Sequence, residues 1–215
     1  VKTKLISTMG GCIKFFGIGG APLDSTVWDF LYSCHFPYAL GYGLTETSPL
    51  IAGCGPKHKM HKKGYIGKPV KHDDVILLDK NEEGVGEIAV KGPNVMTGYY
   101  NNEELNKEVF TPEGYFKTGD LGYIDKHGYL SIRGRVKTMI LGPAGENIYP
   151  ESIESIINNM EFVQESLVVP GDGGLVALIK VDLEAMQEKL KISAEEVKNE
   201  AEKYLVKLKK TVNEQ

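Results

Sequence analysis

At 215 residues, with 41% hydrophobic and 25% charged side chains, the sequence suits one or two domains of ~150 residues and is too apolar for a disordered chain. A net charge of −4 lacks the strongly basic balance of a nucleic-acid module, and no run reaches the ~18 apolar residues of a membrane span. Val1 to Ser7 carries Lys2 and Lys4 without an apolar core, which excludes a signal peptide there. Cys12, Cys34 and Cys54 are odd in number and form no CxxC pair, which points to a reducing, cytoplasmic setting.

In chain order, Ile13 to Ile18 is an apolar run ending at glycines, the pattern of a buried strand. Asp24 to Ser33 sets Val27, Phe30 and Leu31 at helical spacing. Pro37 to Leu40 leads into a second glycine-punctuated turn at Gly41, Tyr42 and Gly43. This alternation is α/β grammar, with turns at strand ends where open sheets bind ligands.

The middle of the chain changes character. Val75 to Leu78 and Glu87 to Val90 read as short strands, and Asn102 to Val109 as a short helix. Leu121 to Asp125 and Tyr129 to Arg133 flank Lys126, His127 and Gly128 as a hairpin. Strands this short and close predict a small antiparallel sheet or barrel.

After Gly134 and Arg135, Pro150 and Glu151 open a helix whose apolar face is Ile153, Ile156, Ile157 and Met160. Ser166 to Val169 and Leu175 to Val181 read as strands around a turn from Pro170 to Gly174. Ser193 with Glu196 forms a capping box, opening a helix expected to bury Val197, Ala201, Leu205 and Leu208. Charge divides with this pattern. Residues 1–136 hold 16 basic and 15 acidic side chains, and residues 137–215 hold 9 and 14. The predicted organisation is therefore an α/β segment over about 1–55, a β subdomain over about 56–136, and a small α+β domain over 137–215.

Four glycine-bearing segments have the composition of a ligand site. Gly41 to Ser48 offers backbone amides, an aromatic that can stack on a flat base, a hydroxyl for phosphate and a carboxylate for Mg²⁺. Gly17 to Leu23 has small residues against which a planar ligand can lie. Gly114 to Asp120 ends in an aspartate suited, on a rigid turn, to accept two hydrogen bonds from a sugar diol. Gly134 to Ile140, followed by Gly142 to Pro150, offers Arg135 to phosphate or ribose oxygens. Taken alone, the first two compositions fit a polar loop or a strand-to-helix turn better, and the other two fit a structural or surface turn as well as a site.

In this order the four segments resemble the adenylate-forming superfamily of acyl-CoA synthetases, nonribosomal-peptide adenylation domains and luciferases. Gly145 to Glu151 looks like the long-chain fatty acid–CoA ligases. The resemblance implies an acyl-CoA synthetase-like fold: the end of a large domain with a small β-barrel-like subdomain, then a mobile C-terminal domain. It implies that Gly19, Gly20, Ala21 and Pro22 form the adenine-side loop and that Tyr42, beside Gly43, stacks on adenine. Thr45 would lie near the α-phosphate, Glu46 would be the Mg²⁺ carboxylate, and Asp120 with Arg135 would hold the ribose. Lys137 would be the hinge between two half-reactions, and Gly145 would lie on a loop swung toward the thiolation site.

The implied chemistry joins a fatty acid to ATP, giving acyl-adenylate and pyrophosphate, after which coenzyme A displaces AMP. An acyl-carrier protein is the alternative acceptor, and a non-catalytic nucleotide or acyl sensor is the alternative of another class. A plain α/β protein with coincidental motifs is the third reading. The family's Ser/Thr/Gly-rich phosphate loop and its terminal lysine in a Thr-x-x-Gly-Lys context have no match here. The chain is therefore expected to be a C-terminal piece of a larger enzyme, trimmed at both ends and inactive alone.

The basic stretch Lys57 to Lys63 reads as a solvated loop, leaving open a coenzyme A or membrane-surface contact. His58 and His61 have ligand-like spacing, but no Cys or carboxylate joins them at a usual interval.

Overall fold

The computed structural model describes residues 1–142, 145–171 and 174–213, in two units, Val1–Lys137 and Thr138–Gln215. Among the described residues no helix is long and apolar enough to cross a membrane.

The first unit starts with α1 (Lys2–Thr8) and β1 (Phe16–Ile18). The connection to β2 (Tyr38–Gly43) passes through α2 (Ser25–Ser33), so β1 and β2 pair in parallel. α2 begins where the Asp24 carboxylate accepts the N–H groups of Thr26 at 2.9 Å and Val27 at 3.0 Å, satisfying two amides that the first turn leaves unpaired. It stops before His35, whose φ of 55° is left-handed. The buried stripe of α2 keeps Leu31 of the sequence reading but not Val27 or Phe30. Trp28 and Leu31 enter the core, while Val27 and Phe30 stay exposed. Trp28 stacks on Tyr32 one turn later, with ring centroids 4.6 Å apart.

β3 (Leu50–Cys54) and β4 (Lys68–Pro69) extend the sheet antiparallel, in the order β1-β2-β3-β4. Gly41, Tyr42 and Gly43 are thus strand residues rather than the expected turn, because they pair with Gly53, Ala52 and Leu50 of β3. A second sheet runs β5-β6-β7-β8, comprising β5 (Asp74–Leu78), β6 (Gly86–Lys91), β7 (Phe116–Ile124) and β8 (Leu130–Arg135). All its pairings are antiparallel. This is the small antiparallel sheet predicted from the middle of the chain. Asp125 builds its last hairpin, accepting the N–H groups of His127 at 2.8 Å and Tyr129 at 2.9 Å. α3 (Glu103–Val109), between β6 and β7, is capped by Asn102.

The two sheets of this unit share a core. Ile51 and Ala52 of β3 pack with Ile88, Val90, Phe116 and Leu130 of the second sheet, and Tyr42 lies against the same cluster. Apolar burial at this seam fixes the end of β2 beside β7.

The second unit has a two-stranded sheet of β9 (Ile140–Leu141) and β10 (Asn147–Ile148). α4 (Pro150–Asn158) follows, then the hairpin β11 (Val163–Gly171) and β12 (Gly174–Val181), α5 (Leu183–Leu190) and α6 (Glu196–Asn213). Ile157, Val168 and Leu208 form one cluster, and Met186, Val197 and Ala201 another. Two expected core positions differ: Ile156 is exposed and Leu205 is only half-buried. Tyr204 packs against both clusters. The capping box forms, with Glu196 accepting the Ser193 N–H at 2.9 Å and Ser193 accepting the Glu196 N–H at 3.3 Å. Pro143 and Ala144 of the Gly142 to Pro150 motif, and Asp172 and Gly173 of the Pro170 to Gly174 turn, lie outside the described residues.

Candidate nucleotide site

Parallel strands present their carboxyl ends as the open edge where α/β sheets take ligands. At the end of β1 lie Gly19, Gly20, Ala21 and Pro22, all exposed, leading into α2. The β1–β2 register ends with Ile18 opposite Leu40, so this loop runs beside Gly41; a Cβ on Gly19 would sit 3.0 Å from the Gly41 carbonyl oxygen. At the end of β2, Gly43 is required by crowding. A Cβ there would lie 1.6 Å from the Pro49 carbonyl oxygen, a distance no side chain tolerates.

Tyr42 joins the two sheets. Its hydroxyl donates to Oδ2 of Asp120 at 2.8 Å. The other oxygen, Oδ1, lies 3.1 Å from Nε of Arg135, the residue opposite Asp120 in the β7–β8 register. The sequence reading set Asp120 on a turn; it stands inside β7, where a register irregularity follows at Leu121 and Gly119 takes φ 73°. That conformation gives the Thr-Gly-Asp segment its turn-like composition within a strand. Thr118 and Glu87 brace it: the Asp120 N–H donates to the Thr118 hydroxyl at 3.1 Å and the Gly119 N–H to the Glu87 carboxylate at 3.1 Å.

Asp120 is buried, at 5% exposure. Burial first, then the adjacent Asp120 charge, pushes the Tyr42 hydroxyl well above its usual range, so Tyr42 remains a donor at neutral pH. An ionised carboxylate has about four acceptor lobes. Two protein donors leave capacity for a diol, the chemistry a ribose offers.

The residues after Gly43 form a short 3-10 turn, Thr45–Thr47. Its anchor is Thr47, which sequence reasoning missed. Thr47 is fully buried; its hydroxyl accepts the Leu44 N–H at 3.0 Å and donates to the Pro49 carbonyl at 2.7 Å. Asn94, also missed, holds its amide 2.9 Å from the carbonyls of both Thr47 and Leu50. With this support behind it, the turn presents an exposed Thr45 and a half-buried Glu46. The Glu46 carbonyl accepts the Met96 N–H at 2.8 Å, and its Oε1 accepts the Tyr99 hydroxyl at 2.8 Å. Asn94 and Tyr99 lie about fifty residues from their partners, where no periodicity carries a signal.

Glu46 meets the donor chemistry of Mg²⁺. That ion is commonly held by one or two carboxylates together with substrate phosphates and water, and Oε2 of Glu46 has no hydrogen bond among the described residues. Lys137 is exposed, on the turn after β8, and ends the first unit. It makes no hydrogen bond or ion pair with the other candidates among the described residues. His61 is buried and its Nε2 lies 3.0 Å from the Tyr38 carbonyl; burial lowers its pKa.

The architecture is the mixed α/β fold of acyl-CoA synthetase-like, adenylate-forming enzymes. It matches o-succinylbenzoate coenzyme A synthetase from Bacillus subtilis, solved with ATP and magnesium ion, at TM-score 0.69 and 34% identity over 81% of this chain and 38% of that one. ATP-bound MatB from Rhodopseudomonas palustris matches at TM-score 0.69 and 32% identity, over 82% and 37%. Residues 2–100 match the family of AMP-binding enzymes.

Curated relatives include a 2-succinylbenzoate–CoA ligase of Oceanobacillus iheyensis, 34% identical over 90% of this chain and 40% of that protein. They also include the long-chain-fatty-acid–CoA ligase FadD15 of Mycobacterium bovis, 36% identical over 87% and 30%. The chain spans less than half the length of these relatives. Because both substrate types occur among them, the resemblance narrows to CoA ligases and not to long-chain acids.

Proposed function

We propose that this chain is the nucleotide-binding and hinge-bearing part of an enzyme that activates a carboxylic acid with ATP and passes the acyl group to coenzyme A. The observation that carries the reading is the Tyr42–Asp120–Arg135 cluster, with both Asp120 oxygens engaged at the open ends of β1 and β2. In this reading Asp120 and Arg135 take the ribose, and Gly19 to Pro22 with Tyr42 and Gly43 line the base. Thr45 approaches the α-phosphate and Glu46 holds Mg²⁺, which when bound neutralises phosphate charge. Stabilising that charge and positioning the carboxylate supply the rate; Lys137 is the hinge between the two steps. The reaction takes place in the cytoplasm, in keeping with the three unpaired cysteines.

For the acid, Gly145 to Glu151 favours a long-chain fatty acid. The 2-succinylbenzoate ligases among the relatives favour an aromatic acid as the second reading. The test is acid-dependent ATP–pyrophosphate exchange by the full reading frame that contains this segment. Exchange that requires a long-chain acid supports the first reading, and exchange that requires 2-succinylbenzoate replaces it with the second. No exchange with any acid, from a frame that encodes a phosphate loop and terminal lysine, overturns carboxylate activation.

A further inference from the structure

We infer that Tyr99 and Asn106 are positioning residues that orient the Glu46 carboxylate and thereby set the affinity of the nucleotide complex for its divalent cation; this rests on the reading of Glu46 above. The segment from Met96 to Tyr99 grips Glu46 at two points, through the Met96 N–H to its carbonyl and the Tyr99 hydroxyl to its Oε1, each at 2.8 Å. Tyr99 is itself held at both backbone groups by one side chain. Its N–H donates to Oδ1 of Asn106 at 2.7 Å, and its carbonyl accepts from Nδ2 at 3.0 Å. Asn106 lies on α3, where its own N–H donates to the Asn102 carbonyl at 3.0 Å. Gly98 brings the chain against this amide: a Cβ there would meet the Asn106 side chain at 3.0 Å. The result is an unbroken series of hydrogen bonds from α3, through Asn106 and Tyr99, to Glu46.

The series has a consequence for metal binding. Tyr99 occupies Oε1, so Oε2 is the oxygen left for a cation. Mg²⁺ demands near-octahedral geometry and tolerates misdirected ligands poorly. Partners that hold a ligating carboxylate typically change metal affinity by about 10- to 100-fold when removed. Neighbouring Tyr100 is 93% exposed, so the inward turn at Tyr99 belongs to that residue and not to the segment at large.

The experiment uses the full-length enzyme, in excess over ATP, with Mn²⁺ as the probe and electron paramagnetic resonance reporting its binding. Tyr99→Phe keeps the ring and removes the donor; it is expected to weaken Mn²⁺ binding about 10-fold, with metal-free ATP affinity unchanged. Asn106→Asp keeps the acceptor for the Tyr99 N–H, loses the donor, and is expected to shift Mn²⁺ binding in the same direction. Glu46→Gln separates the two readings. If it weakens Mn²⁺ binding while Tyr99→Phe and Asn106→Asp do not, the positioning role is overturned and the Glu46 assignment stands. If Glu46→Gln itself leaves Mn²⁺ binding unchanged, the assignment of Glu46 falls, and the positioning role with it. Equal loss of metal-free ATP affinity in Tyr99→Phe also overturns the proposal, since it marks general damage to the site.

Discussion

Asp120 is 5% exposed, whereas the Arg135 side chain is 65% exposed. Solvent screens such a pair to about 1 kcal/mol or less. A hydrogen bond to a charged group contributes about 1.5–3 kcal/mol, so the Tyr42 hydroxyl is the firmer hold on the carboxylate. Tyr42→Phe is therefore expected to lower stability by about 1.5–3 kcal/mol in urea unfolding, more than Arg135→Ala does. Asp120→Ala removes the proposed ribose acceptor as well, and in the full-length enzyme it should lower kcat/KM for ATP by about 100-fold or more. Near-normal ATP use would remove Asp120 from the site.

His61 gives a prediction of opposite kind, on pH. Burial lowers its pKa below the ordinary value of 6.5, so the unfolded chain binds the proton more readily than the folded one. Stability then falls as pH drops through about 6.5 and continues falling until the folded-state pKa is passed. His61→Gln should flatten that part of the pH–stability curve, measured by thermal unfolding between about pH 7.5 and 5. An unchanged slope would mean that other groups govern it.

At the scale of elements, two glycines separate crowding from backbone strain. Gly20 has φ 82° with nothing within 4 Å of a built Cβ, whereas a Cβ on Gly43 would strike the Pro49 carbonyl. Gly20→Ala is expected to cost about 1–2 kcal/mol, the penalty of a left-handed alanine. Gly43→Ala should cost at least ~2 kcal/mol and also displace the Thr45–Thr47 turn, reducing ATP affinity. Equal, small effects at both sites would contradict the close approach of β2 to Pro49. These elements were unevenly legible in the sequence. α6 announces itself through Ser193 with Glu196, because capping is local chemistry, and α2 through the helical spacing of its apolar residues. The strand character of Gly41–Gly43 and Asp120 is set by partners on β3 and β8, and glycine-rich composition reads locally as a turn. The inward face of α2 takes Trp28 and Leu31 and leaves Val27 and Phe30 exposed, a choice that helical spacing alone does not make.

At the scale of the whole molecule, the candidate residues were legible as an ordered set of motifs, while their assembly was not. Tyr42 and Asp120 are 78 positions apart and meet only because Ile51 and Ala52 share a core with Ile88 and Leu130. Lys137 follows from the same organisation, as the exposed last residue of the first unit. A hinge absorbs φ/ψ change at few residues, so its role is tested by restricting φ while removing little else. Proline fixes φ near −65°, and no backbone hydrogen bond from the Lys137 N–H exists among the described residues for it to break. In the full-length enzyme Lys137→Pro should leave acid-dependent ATP–pyrophosphate exchange within about threefold of normal and slow thioester formation at least ~10-fold. Lys137→Ala, which leaves φ free, should slow neither step comparably. Equal slowing of both half-reactions by Lys137→Pro would assign Lys137 to the chemistry or the packing of the site, and the pivot would then have to lie elsewhere in the chain.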